Sequence, residues 1–239
     1  IDRGRWSFMT GHSGSDQSPY DEAETLAQVE GVKARLIRGP SRVLDLGCGT
    51  GRMARHLSRA GHAVTGVDRV SRHRSDFEEA TEGKATFVLG DFASAEGCRV
   101  LPTGPFDAIL VLGNTLALIR EPRIMRDLFQ TLAERLDPEG VLVYDDFSIT
   151  SWAELASGNW AEGISEDGTM QMIWIPGEPE FVLRSGEEVD PDCDEPRPGE
   201  RVLRIWSMAE LNDAAELAGL TVGGHDSAAS MVVHVHADR

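Results

Sequence analysis

The chain has 239 residues, of which 41% are hydrophobic, and its 40 acidic and 23 basic side chains give a formal net charge of −17. This length and composition suit a folded domain with a substantial core, and no apolar run is long enough to span a membrane. The negative charge argues against a nucleic acid as substrate or partner, because phosphate backbones bind through clustered Lys and Arg.

The N-terminal part divides into two predicted segments. Residues 1–19 are predicted to be a flexible lead, since residues 11–19 are mostly Gly, Ser and other polar types. Residues 20–37 have the spacing of an amphipathic helix, with an apolar stripe through Leu26, Val29, Val32 and Leu36.

A glycine-rich turn follows the first predicted strand. Val43, Leu44 and Leu46 are typical of a buried parallel strand, glycines stand at positions 47, 49 and 51, and residues 53–60 have helical spacing. Because glycine has no Cβ, the backbone of such a turn can approach a ligand closely. The second predicted strand, residues 62–67, leads into Asp68, whose carboxylate can accept hydrogen bonds from both hydroxyls of a ribose.

The glycine spacing separates two nucleotide-type cofactors. A dinucleotide fingerprint requires a glycine at position 52, where this chain has Arg52. Asp45, two residues before the first glycine, would repel a pyrophosphate but can pair with an ammonium group. The turn therefore favours a zwitterionic amino-acid cofactor over a dinucleotide.

The central region continues as alternating strands and helices. Strands are predicted at residues 85–89, 106–112 and 141–144, a short helix near 116–119, and an amphipathic helix over 123–136 that ends in the turn 137–140. This alternation predicts right-handed crossovers and a doubly wound parallel sheet, whose ligands bind outside the carboxyl ends of the strands. The residues predicted to lie at that edge are the glycine-rich turn 47–51 and the polar side chains Asp68, Asp91, Asn114 and Asp145.

Residues 151–201 have no place in such a sheet and are predicted to form an inserted antiparallel flap. Strands are expected at residues 170–175 and 181–184, with 202–206 able to pair with them. The acidic run 187–195 is predicted to be a solvated, mobile loop, since Glu195 and Arg201 do not fit a calcium-binding loop. Side chains that either line a substrate pocket or pack the flap on the domain are Trp152, Trp160, Met170, Met172 and Trp174.

The C-terminal part has clear helix signals. Ser207 and Glu210 predict a capping box at the start of a helix over residues 209–218, and Gly219 fits its C-terminal end. The apolar runs 220–222 and 231–235 are predicted to form an antiparallel hairpin.

Cysteine and histidine usage predicts neither disulfides nor a metal. The three cysteines lack the spacing of either kind of site, and no signal-peptide pattern is present, which predicts a reducing, cytoplasmic setting. His234 and His236 could share one strand face, but they have no third ligand nearby in sequence.

The pattern Asp-x-Gly-x-Gly-x-Gly is matched in full by Asp45, Gly47, Gly49 and Gly51. In this respect the segment resembles the first motif of class I S-adenosylmethionine-dependent methyltransferases. The resemblance implies a Rossmann-like methyltransferase fold, in which a doubly wound, seven-stranded, mostly parallel sheet is closed by the C-terminal hairpin. That domain would comprise residues 20–150 and 202–239, with 151–201 inserted as a substrate-covering flap. The implied cofactor is S-adenosylmethionine, and the implied product is S-adenosylhomocysteine.

The resemblance also implies which residues line the cofactor site. Asp91 would face the adenine amino group with Phe92 against the ring, and Tyr20 would line an N-terminal lid, a packing tyrosine being the alternative. The implied cofactor-binding residues are Tyr20, Asp45, Gly47, Cys48, Gly49, Gly51, Arg52, Asp68, Arg69, Gly90, Asp91, Phe92, Leu112, Gly113 and Asn114.

The segment Leu112-Gly113-Asn114-Thr115 is similar to the Gly-Asn-Ser/Thr element of glycine and sarcosine N-methyltransferases, which implies that Asn114 lies beside the transferring methyl. Those enzymes clamp a substrate carboxylate with an Arg shortly after the fifth strand, and this chain has no Arg or Lys between that strand and Arg184. The expected acceptor is therefore a nitrogen or oxygen of a small metabolite, amine-bearing or cationic, rather than a free amino acid.

The catalytic candidates are Asn114, Asp145 and His225. Asp145 comes first by position as a general base, and a cap or loop-bonding role explains an aspartate there equally well. The chain is expected to act as a monomer or homodimer. Two alternatives stay open at this point: a non-catalytic S-adenosylmethionine-binding subunit or regulator, and a NAD-dependent oxidoreductase, which Arg52 disfavours.

Overall fold

The computed structural model describes residues 22–146, 160–161, 163–165 and 167–237. Its helices are α1 (Glu22–Lys33), α2 (Ala54–Arg59), α3 (His73–Ala80), α4 (Ala95–Arg99), α5 (Pro122–Arg135) and α6 (Met208–Leu217), with a 3-10 turn at Thr115–Leu118. The strands up to the flap are β1 (Arg42–Leu46), β2 (Ala63–Asp68), β3 (Thr86–Leu89), β4 (Phe106–Val111) and β5 (Leu136–Asp145). The remaining strands are β6 (Trp160–Ala161), β7 (Ile164–Ser165), β8 (Met170–Trp174), β9 (Glu180–Ser185), β10 (Val202–Arg204), β11 (Leu220–Asp226) and β12 (Met231–His236).

The main sheet has seven strands in the order β11-β12-β5-β4-β1-β2-β3. Strands β1 to β5 pair in parallel, whereas β12 is antiparallel to both β5 and β11. This confirms the predicted doubly wound sheet and its closing hairpin. Because β1 and β4 are central and parallel to β2 and β5, the carboxyl ends of all four meet at one edge.

Apolar side chains cover both faces of the sheet. One cluster contains the buried stripe of α5, including Ile124, Leu128 and Leu132, as the helical spacing predicts. The cluster on the other face joins α1 and α2 to the central strands. Both faces of β1 and β4 are therefore buried, as expected for the middle of a parallel sheet.

The turn predicted at residues 137–140 is incorporated into β5. Leu136 pairs with Phe106, and the register then shifts so that Val141 faces Ala108. A Cβ on Gly140 would lie 2.8 Å from the carbonyl oxygen of Phe106, so the strands approach too closely for a side chain. Helix α5 ends at Arg135, close to the predicted end, but β5 begins at Leu136 and includes the residues predicted as a turn.

Helix α1 differs from the predicted amphipathic helix. It ends at Lys33, and Leu26, expected in the apolar stripe, is 43% exposed. Val29, Val32 and Leu36 are buried as predicted, and Thr25 and Gln28 take the place of Leu26 on the buried face. A Cβ on Gly31 would lie 2.6 Å from Cε of Met231, so α1 packs tightly on the C-terminal hairpin. The helix is therefore oriented by the hairpin and the polar edge of the sheet rather than by Leu26.

The flap forms a second, antiparallel sheet in the order β10-β9-β8-β7-β6, as predicted. Trp206, which follows β10 and is 1% exposed, ties it to the turn after β4. The indole Nε1–H of Trp206 lies 3.1 Å from the carbonyl oxygen of Leu116 and 3.0 Å from that of Ile119. Arg120 adds an ion pair at 2.6 Å to Glu180 on β9. The flap is thus anchored beside the carboxyl end of β4.

The acidic side chains of the run 187–195 are mostly exposed to solvent, as predicted, but the backbone of the run is bound by buried polar groups. Arg184 is 1% exposed and donates to the carbonyl oxygens of Cys193 at 2.9 Å and Glu195 at 2.8 Å. Its guanidinium also pairs with Glu200 at 2.6 Å. Gln171 donates to the carbonyl oxygen of Asp190 at 2.9 Å. Burial of these groups requires such partners, which hold the backbone of the run in place.

Helix α6 begins as predicted. Ser207 and Glu210 form the capping box, and Gly219 follows the helix with a φ of +76°.

We expect Trp206→Phe to destabilise the protein by about 1 to 3 kcal/mol, because the buried carbonyl oxygens of Leu116 and Ile119 lose their indole donor. Chemical unfolding followed by circular dichroism measures the change. Trp174→Phe is the matched control, since Trp174 is 47% exposed, and should cost less than about 0.5 kcal/mol. Equal losses in the two variants would contradict this role of Trp206.

Candidate functional site

The glycine-rich turn closes over the end of β2. The backbone N–H of Gly47 donates to the carbonyl oxygen of Val67 at 2.8 Å. Gly47, Gly49 and Gly51 all have positive φ, a conformation that strains other residues. A Cβ on Gly47 would lie 2.6 Å from Oγ1 of Thr115, whereas one on Gly49 would meet nothing within 4 Å. Gly49 therefore faces open space, and Gly47 permits close packing of the turn on the loop after β4.

Asp68, the last residue of β2, holds this turn in place. Its Oδ2 accepts the backbone N–H of Gly49 at 2.9 Å, and its Oδ1 accepts that of Val70 at 2.8 Å. His73 Nδ1 lies 3.5 Å from the same Oδ1. Because each carboxylate oxygen has two acceptor positions, Asp68 can bind the turn and still accept further hydrogen bonds from a ligand.

Asp45 on β1 is the most deeply buried of the aspartates Asp45, Asp68 and Asp145 at this edge of the sheet. It is 3% exposed, and within the described residues its side chain forms no hydrogen bond. Burial raises the pKa of Asp45 to about 7, Arg52 opposes this shift, and Asp68 adds to it. A buried carboxyl group with such a strongly raised pKa is typical of a functional site.

Asp145 connects the ends of β4 and β5 with α1. Its Oδ2 accepts the backbone N–H of Asn114 at 2.7 Å, and its Oδ1 lies 3.3 Å from Nε2 of Gln28. Asn114 has φ of +54° and ψ of +26°, a left-handed conformation that Asn tolerates better than most residues. The carboxylate therefore fixes an unusual backbone turn at the carboxyl end of β4.

The predicted adenine-side residues lie at the end of β3. The backbone N–H of Gly90 donates to the carbonyl oxygen of Asp68 at 3.0 Å, which brings this loop against β2. Asp91 is exposed and accepts the backbone N–H of Ala93 at 3.0 Å. Phe92 is 5% exposed and packs in the core, so its ring contributes to packing here.

The other predicted residues near the turn differ in burial and contacts. Cys48 and Leu112 are buried, burial raises the pKa of the Cys48 thiol, and Gly113 has a φ of +87°. Arg52 lies near the turn, with its Nη1 3.5 Å from Oγ1 of Thr25.

Of the remaining predicted residues, two are exposed and one lies outside the described residues. Arg69 is exposed directly after β2. His225 is exposed on the outermost strand β11, two strands beyond β5 in the sheet. Tyr20, like Trp152 of the flap, lies outside the described residues.

Sequence reasoning missed Gln28, Thr25 and Thr115. Thr25 and Gln28 are polar residues three positions apart on α1, which is a helical spacing, and both are buried against the site. The prediction for α1 relied on its apolar residues alone and therefore did not include Thr25 and Gln28. Thr115 donates to the carbonyl oxygen of Leu112 at 2.8 Å and packs on Gly47.

Within the ranges that the structure describes, no three His, Cys, Asp or Glu side chains are grouped so as to hold a metal ion. No helix in those ranges has the length and apolar character needed to cross a membrane.

Part of the chain is similar in sequence to known methyltransferases. Residues 43–140 match a protein family described as a methyltransferase domain. A putative methyltransferase of Geobacillus sp. (strain WCH70) is 29% identical over 130 residues, 54% of this chain and 51% of that protein. The mitochondrial ubiquinone biosynthesis O-methyltransferase of Schizosaccharomyces pombe is 30% identical over 129 residues, 52% of this chain and 44% of that protein. The chain thus spans about half the length of these curated relatives.

A solved structure extends the likeness to nearly the whole chain. The CcbJ methyltransferase from Streptomyces caelestis superposes with a TM-score of 0.63, 21% identity, and coverage of 93% of this chain and 98% of that one. This likeness confirms the fold, including the predicted flap and hairpin. Residues 43–140 are therefore similar to a methyltransferase domain, and the chain has the Rossmann-like methyltransferase fold that its sequence predicts.

Proposed function

We propose that the protein transfers a methyl group from S-adenosylmethionine to a nitrogen or oxygen of a small-molecule metabolite and releases S-adenosylhomocysteine. The observation that carries this proposal is the glycine turn held by Asp68 beside the buried carboxyl group of Asp45. A ribose site and an ammonium site lie next to each other there, which is what a cofactor with an adenosyl and an amino-acid end requires.

The residues fit each part of that cofactor. Asp68 accepts hydrogen bonds from the ribose hydroxyls, and Asp45 pairs with the ammonium group. The open space beside Gly49 receives the cofactor against the backbone. Asp91 binds the adenine amino group beside Gly90. The other cofactor contacts that we propose come from Cys48, Arg52, Leu112 and Gly113.

Bound S-adenosylmethionine supplies a methyl group on a positively charged sulfur, which leaves as a neutral thioether. The protein then has to align the acceptor with this methyl and exclude water, and it needs no covalent intermediate of its own. Asn114 presents an uncharged amide at the end of β4 for this alignment. Asp145 fixes the backbone of Asn114 and so acts as a positioning residue.

A general base is needed only when the acceptor arrives protonated. Asp145 remains the first candidate by position, although the Asn114 and Gln28 hydrogen bonds occupy part of its carboxylate. His225 is the more distant candidate, on the outer strand.

The acceptor is inferred to be a small molecule with an amino or hydroxyl group. The net charge of −17 and the acids at the sheet edge favour an amine-bearing acceptor at the transfer position. The name of the Schizosaccharomyces pombe relative assigns it O-methylation, so an acceptor oxygen fits this domain type as well. In this proposal the flap covers the acceptor, and its attachment through Trp206 beside β4 supports that role.

Turnover separates this proposal from a non-catalytic cofactor-binding subunit. A panel of small amines and hydroxyl compounds, incubated with methyl-labelled cofactor, should give labelled product and S-adenosylhomocysteine. Binding of both cofactor forms without turnover of any compound would favour the binding subunit. Tight binding of NAD would favour the oxidoreductase.

We expect Asp68→Ala to weaken S-adenosylhomocysteine binding by on the order of 2 to 4 kcal/mol, because hydrogen bonds to a charged acceptor are each worth about 1.5 to 3 kcal/mol. Isothermal titration calorimetry measures the loss. Asp213→Ala, at an exposed position on α6, is the matched control and should bind normally. Unchanged affinity in Asp68→Ala would contradict the ribose assignment.

The pKa of Asp45, about 7, gives opposite effects on binding and stability. Pairing with the ammonium group requires ionised Asp45, so S-adenosylhomocysteine should bind about tenfold more weakly one pH unit below that pKa. A raised carboxyl pKa means that the folded protein without cofactor loses stability as pH rises from about 4 through about 7. Asp45→Asn should therefore stabilise the cofactor-free protein at pH 8, weaken binding there, and remove the pH dependence. Calorimetry and unfolding at pH 6 and 8 measure both effects, and a variant that binds normally would contradict the pairing.

We expect Asp145→Asn to lower turnover by about 10²-fold while cofactor affinity is kept, because small misplacements at the transfer site cost about that much. Steady-state kinetics with the acceptor found in the panel measures the loss, and Asp146→Asn is the neighbouring control. An unchanged pH profile indicates a positioning role, whereas loss of one limb of the profile identifies Asp145 as the base.

A further inference from the structure

A single carboxylate joins the side chain of Gln28 to the backbone of Asn114. Gln28 on α1 is 3% exposed, and its Nε2 lies 3.3 Å from Oδ1 of Asp145, the last residue of β5. The same Nε2 lies 3.5 Å from the carbonyl oxygen of Ala229, in the turn between β11 and β12. The other carboxylate oxygen of Asp145 accepts the backbone N–H of Asn114 at 2.7 Å. The Gln28 amide therefore lies at the carboxyl ends of β4 and β5.

These neighbours determine how the Gln28 amide is oriented. The carboxylate of Asp145 and the carbonyl group of Ala229 accept hydrogen bonds and donate none. The NH2 group of the amide must face them, because its carbonyl oxygen would be repelled at that position. Oε1 lies on the other arm of the amide, where it is buried and has no hydrogen-bond partner among the described residues. The orientation that satisfies Nε2 thus leaves Oε1 as a buried acceptor without a donor.

A second buried glutamine, Gln171, shows how the fold satisfies such an amide elsewhere. Gln171 is also 3% exposed, and its Nε2 donates to the carbonyl oxygens of Asp190 at 2.9 Å and Cys193 at 3.0 Å. Its Oε1 accepts hydrogen bonds from Nη1 of Arg184 at 3.2 Å and from the backbone N–H of Asp190 at 3.0 Å. Burial of a polar atom without a partner is unfavourable, so both ends of a buried amide are normally bonded. Gln28 departs from this rule at the sheet edge where ligands bind, which indicates a donor supplied by a ligand.

The position of Gln28 relates it to the methyl acceptor rather than to the amino-acid end of the cofactor. The proposed function assigns the ammonium group to Asp45 on β1. The strand order β5-β4-β1 puts Asp145 two strand spacings, about 10 Å, from Asp45 across the sheet. Asn114, which the proposal places beside the transferring methyl, follows the intervening strand β4. Gln28 is therefore bonded on the β5 side of that methyl, away from the ammonium site.

We propose that Oε1 of Gln28 faces the methyl-transfer position and accepts a hydrogen bond from the N–H or O–H of the group that receives the methyl. This inference rests on the proposed methyltransferase function and narrows its acceptor. The bonds from Nε2 to Asp145 and Ala229 fix the direction of Oε1. A hydrogen held in this way leaves the lone pair of the same acceptor atom directed at the methyl. A tertiary amine nitrogen has no such hydrogen, would leave Oε1 unpaired, and should be a poor acceptor.

Sinefungin tests this proposal before any acceptor is known. In this analogue of S-adenosylmethionine, a carbon that carries an amino group replaces the sulfur that carries the methyl. Its N–H groups therefore lie at the transfer position, where S-adenosylhomocysteine carries no group. Isothermal titration calorimetry of the full chain compares the two compounds. We expect Gln28→Met to weaken sinefungin binding by about tenfold, as for the loss of one buried hydrogen bond, and S-adenosylhomocysteine binding by less than about twofold.

Two further variants separate this role from a structural one. Gln28→Glu keeps an acceptor oxygen but loses the donor to Asp145, so it should retain the ratio of sinefungin affinity to S-adenosylhomocysteine affinity even where thermal stability falls. This variant also keeps the test decisive if Gln28→Met does not fold. Gln130→Met makes the same substitution at an exposed glutamine on α5 and should leave both affinities within about twofold of the unaltered chain.

Three outcomes would overturn the proposal and leave the methyltransferase function intact. The first is unchanged sinefungin binding in Gln28→Met. The second is an equal loss of sinefungin and S-adenosylhomocysteine binding in that variant, which would assign Gln28 to folding or to the cofactor in general. The third is a loss of the affinity ratio in Gln28→Glu as large as in Gln28→Met, which would show that Gln28 acts only by holding Asp145. Absence of S-adenosylhomocysteine binding to the unaltered chain would instead overturn the proposed function and, with it, this role of Gln28.

Discussion

Two aspartates at strand ends each accept a backbone N–H from the loop that follows the neighbouring strand. Asp68 on β2 holds Gly49 of the turn after β1, and Asp145 on β5 holds Asn114 of the turn after β4. Both turns contain positive φ angles, which the chain adopts only where surrounding contacts stabilise them. Because β1 and β4 are adjacent in the sheet, the two hydrogen bonds fix the two loops that face each other across the crevice.

Asp45 lies on β1, two residues before the first of these loops, and its carboxyl group accepts no such backbone N–H from the described residues. Its burial is unfavourable when it is ionised, as the raised pKa of about 7 shows. Natural sequences keep such a local conflict mainly where function requires it. The three aspartates therefore differ in their contacts. Asp68 and Asp145 accept backbone N–H groups, whereas Asp45 does so from none of the described residues, which fits the ammonium-binding role proposed for it.

The flap and the C-terminal hairpin are both coupled to the same edge. Trp206 joins the flap to the turn after β4, and Gln28 on α1 reaches Asp145 while α1 packs on the hairpin. A displacement of the flap or of the hairpin would therefore shift the backbone at Asn114. This coupling suits a site in which acceptor and cofactor must be aligned before transfer, since small displacements there cost rate.

The sequence by itself determined the sheet, the glycine turn, the strand-end acids, the flap strands and the capping box of α6. All of these depend on short-range features: apolar periodicity, residues without a Cβ, and caps a few positions apart. Tertiary structure alone decided that Leu26 is exposed while Gln28 is buried, that residues 137–140 join β5, and that Arg184 organises the acidic run. Such contacts join segments distant in sequence, and no local pattern records which polar groups will find each other once the chain has packed.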